Sequence, residues 1–195
     1  MDRFFIENKK MKYIKNNNEI LPMTKIVRGR AIRFIVVHYT GGFSSEPGVA
    51  EQVNQIFLSG NSFGTADFIV DDDTIVQYNP DLLHRYTYHC GKDSRYKDMN
   101  KFLNICTNLN SVGIEMCSSN KSVEITFPGD PNYYFTEATQ ELTTVLIKVL
   151  MDVFDIPKTN VIRHYDVNKK ICPGVRGWYG NEADSGEWIK FLERL

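Results

Sequence analysis

The chain has 195 residues, of which 42% are hydrophobic and 24% are charged. This length suits one domain with a sizeable core, and this composition is typical of a globular protein rather than a disordered one. The 23 basic and 24 acidic residues nearly balance, so the charge gives no indication of a nucleic-acid partner. No apolar run approaches the roughly 20 residues that cross a bilayer, so we expect no membrane insertion.

Residues 1–30 are polar and predict an irregular, extended arm rather than a separate domain. The first 20 residues carry charge but neither an apolar core nor a small-residue cleavage site, so a secretory signal is not expected. We therefore expect synthesis in the cytoplasm, where disulfides are rare. Burial or metal ligation is the better expectation for the four cysteines, Cys90, Cys106, Cys117 and Cys172.

Strands and helices alternate from residue 33 onward. RFIVVHYT (33–40) predicts a buried strand that ends in polar residues, and VAEQVNQIFLS (49–59) has apolar residues at helical spacing. DFIVDDDTIVQYNP (67–80) predicts a hairpin that turns at the three aspartates. The aromatic and basic segment 84–110 reads as a loop. NSVGIEMCSS (110–119) alternates like a strand, with Glu115 and Cys117 on the face opposite Val112, Ile114 and Met116.

The last third predicts two helices and one further strand. FTEATQELTTVLIKVLMDVFDI (135–156) is the clearest helix, with Thr136 as its cap and an apolar stripe formed by Leu142, Val145, Leu146, Val149 and Val153. VIRHY (161–165) predicts a short strand, and SGEWIKFLERL (185–195) predicts an amphipathic helix capped by Ser185. This alternation predicts an α/β fold: a single domain with a central mixed β-sheet flanked by helices.

Three side chains suited to zinc lie near predicted strand ends. His38 ends the apolar run FIVV, His164 ends the run VIR, and Cys172 follows eight residues later. A catalytic zinc site uses three such protein ligands and leaves a fourth position open. One strand-end histidine alone is more often a packing residue, and this His-to-Cys spacing is not that of a zinc finger. The coincidence of all three residues predicts a catalytic metal site.

The segments FIVVHYTGG, SVGIEMCSS and RHYDVNKKICPG together resemble the zinc-dependent N-acetylmuramoyl-L-alanine amidases, a family that includes many phage endolysins and the peptidoglycan-recognition proteins. The resemblance runs from about Ile32 to Pro173, with the three segments in the family's order. It implies an amidase-like fold, with residues 31–195 as the zinc amidase catalytic domain and residues 1–30 as an N-terminal extension.

The resemblance also implies the roles of the site residues. His38, His164 and Cys172 would bind one catalytic Zn²⁺, Glu115 would be the general base, and Lys170 would stabilise an oxyanion. Some family members instead carry a catalytic tyrosine at the position of Ala66 in this chain. Because that tyrosine is missing, the proton transfer falls to Glu115.

Five further residues are weaker candidates. YHCG resembles the family's aromatic-His-x-Gly stretch along the substrate groove, which makes Tyr88 and His89 candidates for substrate binding, together with Tyr39 and Thr40. Packing explains an aromatic residue at such positions equally well. Asp166 is expected to orient the motif loop by hydrogen bonds.

The resemblance implies a peptidoglycan hydrolase that cleaves the amide between N-acetylmuramic acid and L-alanine. Without a signal peptide, such an enzyme would reach the wall after release from the cytoplasm, as a phage or prophage endolysin does through a holin pore. A non-catalytic peptidoglycan-binding module and a host autolysin or wall-recycling amidase are the alternatives within the family. Outside it, Cys172 could serve as the nucleophile of a thiol hydrolase, or His89 or Cys90 could close a structural zinc site.

Overall fold

The computed structural model describes residues 2–6, 9–42, 44–90, 101–122 and 127–195. The strands in these ranges are β1 (Asp2–Ile6), β2 (Lys9–Lys15), β3 (Thr24–Ile26), β4 (Phe34–Tyr39), β5 (Phe68–Val70), β6 (Thr74–Gln77), β7 (Arg85–Thr87), β8 (Ser111–Met116), β9 (Ser119–Asn120), β10 (Tyr133–Tyr134) and β11 (Val161–Arg163). The α-helices are α1 (Val49–Leu58), α2 (Glu137–Phe154), α3 (His164–Asn168) and α4 (Gly186–Glu193). None of the helices in the described ranges is long and apolar enough to span a membrane.

One mixed sheet organises the domain, in the strand order β1-β2-β6-β5-β8-β4-β11. The pairs β4–β8, β4–β11, β5–β8 and β2–β6 are parallel, whereas β5–β6 and β1–β2 are antiparallel. Strands with paired neighbours on both sides bury both faces, which explains the uninterrupted apolar run of β4. The prediction of an α/β domain with a central mixed sheet is confirmed.

The two faces of this sheet carry different side chains. On the first face, Ile35, Val37, Ile114 and Met116 join α2 and α4 in the main hydrophobic core. The second face, which we call the site face, carries Ile69 and Val76 under α1 and carries Val36 and Ile162 near α3. His38 and Glu115 belong to the site face as well, because side chains alternate along each strand.

The N-terminal arm is more regular than its composition predicts. β1 and β2 form a hairpin at one end of the main sheet, and β2 pairs in parallel with β6. The prediction of an irregular segment is therefore wrong for residues 2–6 and 9–15. Met11 is buried in the main core and the Tyr13 hydroxyl bonds Gln77. Lys12, between these two residues, contacts Glu51 on α1 instead of the core, and the high lysine content of β2 conceals its strand pattern in the sequence.

Helix α2 is present as predicted, but its buried face matches the predicted stripe only in part, at Leu142 and Leu146. Thr136 caps it by accepting a hydrogen bond from the Thr139 N–H at 3.1 Å. Val149 and Val153 are 53% and 63% exposed, and the buried face includes Leu142, Leu146, Ile147, Leu150 and three threonines. Threonines can replace aliphatic residues there because their hydroxyls bond carbonyls one turn back, as Thr143 does to Thr139 at 2.7 Å.

Two predicted boundaries differ from the structure. β11 ends at Arg163, and His164 begins helix α3 rather than lying in a strand. Ser185 precedes α4, but its hydroxyl makes no cap hydrogen bond to the helix. It donates instead to carbonyls of the preceding turn, that of Gly180 at 3.1 Å and that of Asn181.

Candidate metal centre

The register of two central strands places a histidine beside a glutamate. β4 and β8 pair in parallel with His38 opposite Glu115 and Val36 opposite Gly113. Opposed residues of paired strands point to the same face, so the imidazole and the carboxylate both lie on the site face. Hydrogen-bonded ladders on both sides of β4 and of β8 fix this position.

The opposite wall of the site is built by α3 and the loop after it. Asp166 begins this wall: its Oδ2 accepts the Arg163 N–H at 2.8 Å and its Oδ1 accepts from the Arg163 guanidinium at 2.6 Å. This contact satisfies the free N–H at the start of α3 and fixes the turn from which His164 projects. The Tyr165 N–H then donates to the Cys172 carbonyl at 2.8 Å, so the loop returns Cys172 to the start of the helix.

Gly174 allows this loop to lie against β4. A Cβ at Gly174 would be 2.3 Å from the Tyr39 hydroxyl, so the Tyr39 ring or the loop would have to move to accommodate it. The loop therefore lies directly against the strand next to Cys172. Close packing against Tyr39 therefore explains the glycine of the Pro-Gly sequence after Cys172.

The three predicted ligands converge. His38 Nδ1 is 3.2 Å from His164 Nδ1 and 3.5 Å from Cys172 Sγ, and one ligand atom from each residue lies within 4.8 Å of the others. A tetrahedral zinc ion with Zn–N near 2.0 Å and Zn–S near 2.3 Å separates its ligand atoms by about 3.3–3.6 Å. Both measured distances agree with that spacing within about 0.1 Å, and the donor set of two imidazoles and one thiolate is one that zinc prefers. The residues present therefore fit a zinc ion.

Burial sets the protonation states of these ligands. Desolvation, reinforced by the neighbouring His164, His89 and Lys170, holds the pKa of His38 well below its usual value. His38 is therefore a neutral imidazole, the form that binds a metal. Burial and the carboxyl of Glu115 raise the pKa of Cys172 to about 12, against the effect of Lys170. A thiol with such a pKa is a poor nucleophile near neutral pH, which disfavours the thiol hydrolase.

Glu115 faces the ligand cluster with an unsatisfied oxygen. Among the described residues no group hydrogen-bonds its buried Oε2 atom. Burial raises the pKa of Glu115 to about 8, while Lys170 and His89 act in the opposite direction. Lys170 itself is exposed on the loop, and its charge acts on His38, Glu115 and Cys172. The site thus combines a carboxylate poised to exchange protons with a nearby cation.

Comparison with known proteins agrees with this geometry. The sequence profile described as N-acetylmuramoyl-L-alanine amidase matches residues 28–175, which is more than half of the chain. The chain belongs to this amidase family. It is 24% identical over 188 residues to a probable N-acetylmuramoyl-L-alanine amidase of Bacillus licheniformis and 25% identical over 191 residues to the N-acetylmuramoyl-L-alanine amidase BlyA of Bacillus subtilis (strain 168). These alignments cover 94% and 91% of the chain but only 46% of each relative, so the chain spans about half the length of these relatives.

Solved structures share the fold. A mutant endolysin from Bacillus subtilis superposes with a TM-score of 0.65 at 20% identity, covering 94% of this chain and 98% of that one. The peptidoglycan-recognition protein PGRP-SA of Apis mellifera superposes with a TM-score of 0.55 at 13% identity, covering 92% and 94%. The amidase fold therefore extends over nearly all of this chain.

The weaker candidates for substrate binding, Thr40, Tyr88 and Tyr39, differ in their contacts and exposure. Thr40 Oγ1 accepts backbone N–H bonds from Gly42 at 3.3 Å and Ser118 at 3.2 Å, so its hydroxyl holds a turn. Tyr88 is partly exposed with its ring 5.7 Å from that of Tyr86, and Tyr39 packs on Gly174 and on Tyr133. The predicted substrate contacts of these residues stay predictions.

His89 is buried behind the cluster of His38, His164 and Cys172 rather than lining an open groove. It is 7% exposed, and its Nδ1 lies 3.1 Å from Nε2 of His38, the nitrogen that faces away from the ligand cluster. Within the described residues neither His89 nor Cys90 joins the group of possible ligands. A structural site closed by one of these two residues is therefore disfavoured.

Two polar residues near the three clustered side chains are not predicted from the sequence. Asn168 places its Nδ2 3.1 Å from His164 Nε2, one helical turn along α3, and Ser111 places its Oγ 3.1 Å from His89 Nε2. Neither residue type suggests a metal site by itself. Only the i, i+4 spacing on a helix that the sequence did not predict could have indicated Asn168.

Proposed function

We propose that this protein is a zinc-dependent N-acetylmuramoyl-L-alanine amidase, which hydrolyses the amide between N-acetylmuramic acid and L-alanine of bacterial peptidoglycan. The observation that carries the proposal is the cluster of His38, His164 and Cys172 beside a buried carboxylate oxygen without a partner among the described residues. Membership of the amidase family supports the same bond as the target. Residues 31–195 would form the catalytic domain, with residues 1–30 as an extension of its sheet.

His38, His164 and Cys172 would hold the metal. When bound, zinc supplies Lewis acidity, which brings the pKa of a water molecule to about 7 and polarises an amide carbonyl. Binding requires a neutral imidazole at each histidine and a thiolate at Cys172. Since burial holds the Cys172 thiol protonated in the metal-free protein, uptake of zinc would release a proton.

Glu115 and Lys170 would carry the remaining chemistry. As water adds to the lactyl carbonyl, the Glu115 carboxylate would accept its proton and then return it to the leaving amino group of L-alanine. The Lys170 ammonium would stabilise the negative charge that develops on the lactyl carbonyl oxygen. The unsatisfied Oε2 atom and the raised pKa of Glu115 suit this exchange of a proton.

The test is digestion of purified peptidoglycan, followed by mass spectrometry of the fragments. We expect free stem peptides that begin with L-alanine, glycans that keep the lactyl group, and a Glu115→Gln variant that releases neither. Cleavage of a glycosidic bond or of a bond within the stem peptide would refute the proposed specificity. Zinc binding without any cleavage by the parent chain would favour the binding-module alternative.

We propose further that the protein acts as a phage or prophage endolysin. Its similarity in fold to a Bacillus subtilis endolysin supports this role. The expected result is that expression in a bacterial cytoplasm is tolerated until a holin opens the membrane, after which the culture lyses. A host autolysin or wall-recycling enzyme is the alternative; lysis without a holin, or no lysis with one, would contradict the endolysin role.

A further inference from the structure

The zinc ligand His38 is one end of a buried chain of hydrogen bonds. Its Nε2 lies 3.1 Å from His89 Nδ1, His89 Nε2 lies 3.1 Å from Ser111 Oγ, and Ser111 Oγ lies 2.6 Å from the Thr107 carbonyl. The side chains in this chain are buried, with His89 7% exposed and Ser111 fully enclosed. Water therefore does not compete for these contacts.

With His38 and His89 both neutral imidazoles, the chemistry of the groups fixes the direction of each hydrogen bond. A carbonyl only accepts, so the single hydroxyl hydrogen of Ser111 goes to Thr107 at 2.6 Å rather than to the Cys90 sulfur at 3.5 Å. The Ser111 oxygen must then accept from His89, which places the proton of that imidazole on Nε2 and its lone pair on Nδ1. That lone pair accepts from Nε2–H of His38.

Because the proton of His38 is on Nε2, its Nδ1 atom carries a free lone pair that can bind a metal. This is the atom that lies 3.2 Å from His164 Nδ1 and 3.5 Å from Cys172 Sγ. We propose that His89 is a positioning residue that, anchored by Ser111, holds the tautomer and orientation in which His38 binds the metal. This inference rests on the proposed zinc site and adds a role for two residues that the proposed chemistry does not use.

The surroundings of His89 hold its ring at this one place. A Cβ on Gly113 would lie 2.7 Å from His89 Cγ and 2.8 Å from its Nδ1, so the ring rests on bare backbone. Asn108 Oδ1 accepts the N–H groups of His89 at 3.0 Å and Cys90 at 2.8 Å. The Arg30 guanidinium donates in turn to the carbonyls of Asn108 and Ser111.

Three alternate residues of strand β8 on the site face each have a distinct part in the site. Ser111 anchors His89, Gly113 leaves room for the His89 ring, and Glu115 faces the metal ligands. These positions are two residues apart, and opposite them on β4 lie Phe34, Val36 and His38. Because side chains alternate along β8, Glu115 and the anchor of His89 lie on the same face, next to His38 on β4.

The first test measures the zinc affinity of the metal-free full chain by competition with a chromogenic chelator. We expect His89→Leu to weaken zinc binding about 10- to 100-fold, the loss that removal of an outer hydrogen-bond partner causes. His89→Asn should restore most of the affinity, because its Oδ1 replaces Nδ1 as the acceptor for His38. His84→Leu is the matched control, since His84 is exposed and contacts Asp81, and it should bind zinc like the parent.

The result that overturns the proposal is His89→Leu binding zinc within about twofold of the parent, or His89→Asn binding as weakly as His89→Leu. The second outcome would show that the ring acts by packing and not as an acceptor. If the parent chain itself binds no zinc, the proposed function fails together with this inference. If the parent binds zinc and only the His89 variants behave otherwise than expected, this inference fails alone.

A second measurement does not depend on whether His89→Leu folds. Nitrogen-15 chemical shifts of the histidines in the metal-free parent should show His89 protonated on Nε2. Ser111→Ala, which removes one hydroxyl, should weaken zinc binding and lessen the preference for this tautomer. A parent with His89 protonated on Nδ1, or a Ser111→Ala variant unchanged in both properties, would refute the proposed chain.

Discussion

The two walls of the metal site are held by different means. On the sheet wall, His38 and Glu115 lie opposite each other on β4 and β8, between strands paired on both sides. On the loop wall, the residues from His164 to Cys172 depend on the Asp166 cap, on the Tyr165–Cys172 bond and on the contact of Gly174 with Tyr39. A ladder of backbone bonds is harder to displace than a few single contacts. The sheet wall therefore holds the proposed ligand His38 and the proposed base Glu115 in place by backbone pairing, whereas the loop wall rests on fewer contacts.

The largest effect is expected at the ligand of the loop wall. Cys172→Ser should abolish zinc binding and amidase activity together, because a serine hydroxyl is not deprotonated as a zinc ligand under conditions where a thiol is. Mass spectrometry would measure the bound zinc, and release of free amino groups from cell walls would measure the amidase activity. A variant that kept full zinc and full turnover would show that the ligand assignment is wrong.

The next largest effect is expected at the proposed base, Glu115, and distinguishes its role from that of the proposed ligand His38. Glu115→Gln keeps the size of the side chain but cannot accept a proton, so turnover should fall about 10²- to 10⁴-fold. Zinc affinity should remain that of the parent, because Glu115 is not among the ligands. His38→Gln, on the strand opposite, should lose both. Loss of zinc in Glu115→Gln would move this carboxylate into the ligand set.

On the loop wall, Lys170 offers a comparison with its neighbour. Lys170→Met should lower kcat about 10²-fold, since removal of one oxyanion-stabilising group has an effect of this order. Lys169→Met is the matched control: the Lys169 ammonium lies over the Tyr165 ring, 4.8 Å from its centroid, and should affect kcat little. Equal losses in the two variants would show that the loop, and not the Lys170 charge, is what the substitutions disturb.

The two walls also differ in how far the sequence predicts them. The run FIVV and the alternation of SVGIE predict β4 and β8, because apolar periodicity records burial directly. The sequence did not predict α3, since five residues are too few for a helical period and its cap uses Asp166 bonded to Arg163. The positioning roles proposed for Ser111 and His89 could not be predicted from the sequence, for a different reason. Their roles depend on a contact between residues 22 positions apart, which no local pattern encodes.

The smallest effect concerns the stability of the sheet wall without metal. Burial raises the pKa of Glu115 from 4.5 to about 8, so the folded protein binds this proton more tightly than the unfolded chain does. The contribution of the Glu115 proton to the free energy of unfolding is fully present below about pH 4.5 and is lost as pH rises through about 8. At about 1.4 kcal/mol per pKa unit, the upper limit is about 5 kcal/mol. Because Glu115 is only half-buried as a residue, we expect a loss of about 1–2 kcal/mol. Urea unfolding of metal-free parent and Glu115→Gln should show the variant gaining stability over the parent between pH 5 and 8. A constant difference across that range would mean that the Glu115 carboxylate is as well solvated in the folded protein as in the unfolded chain.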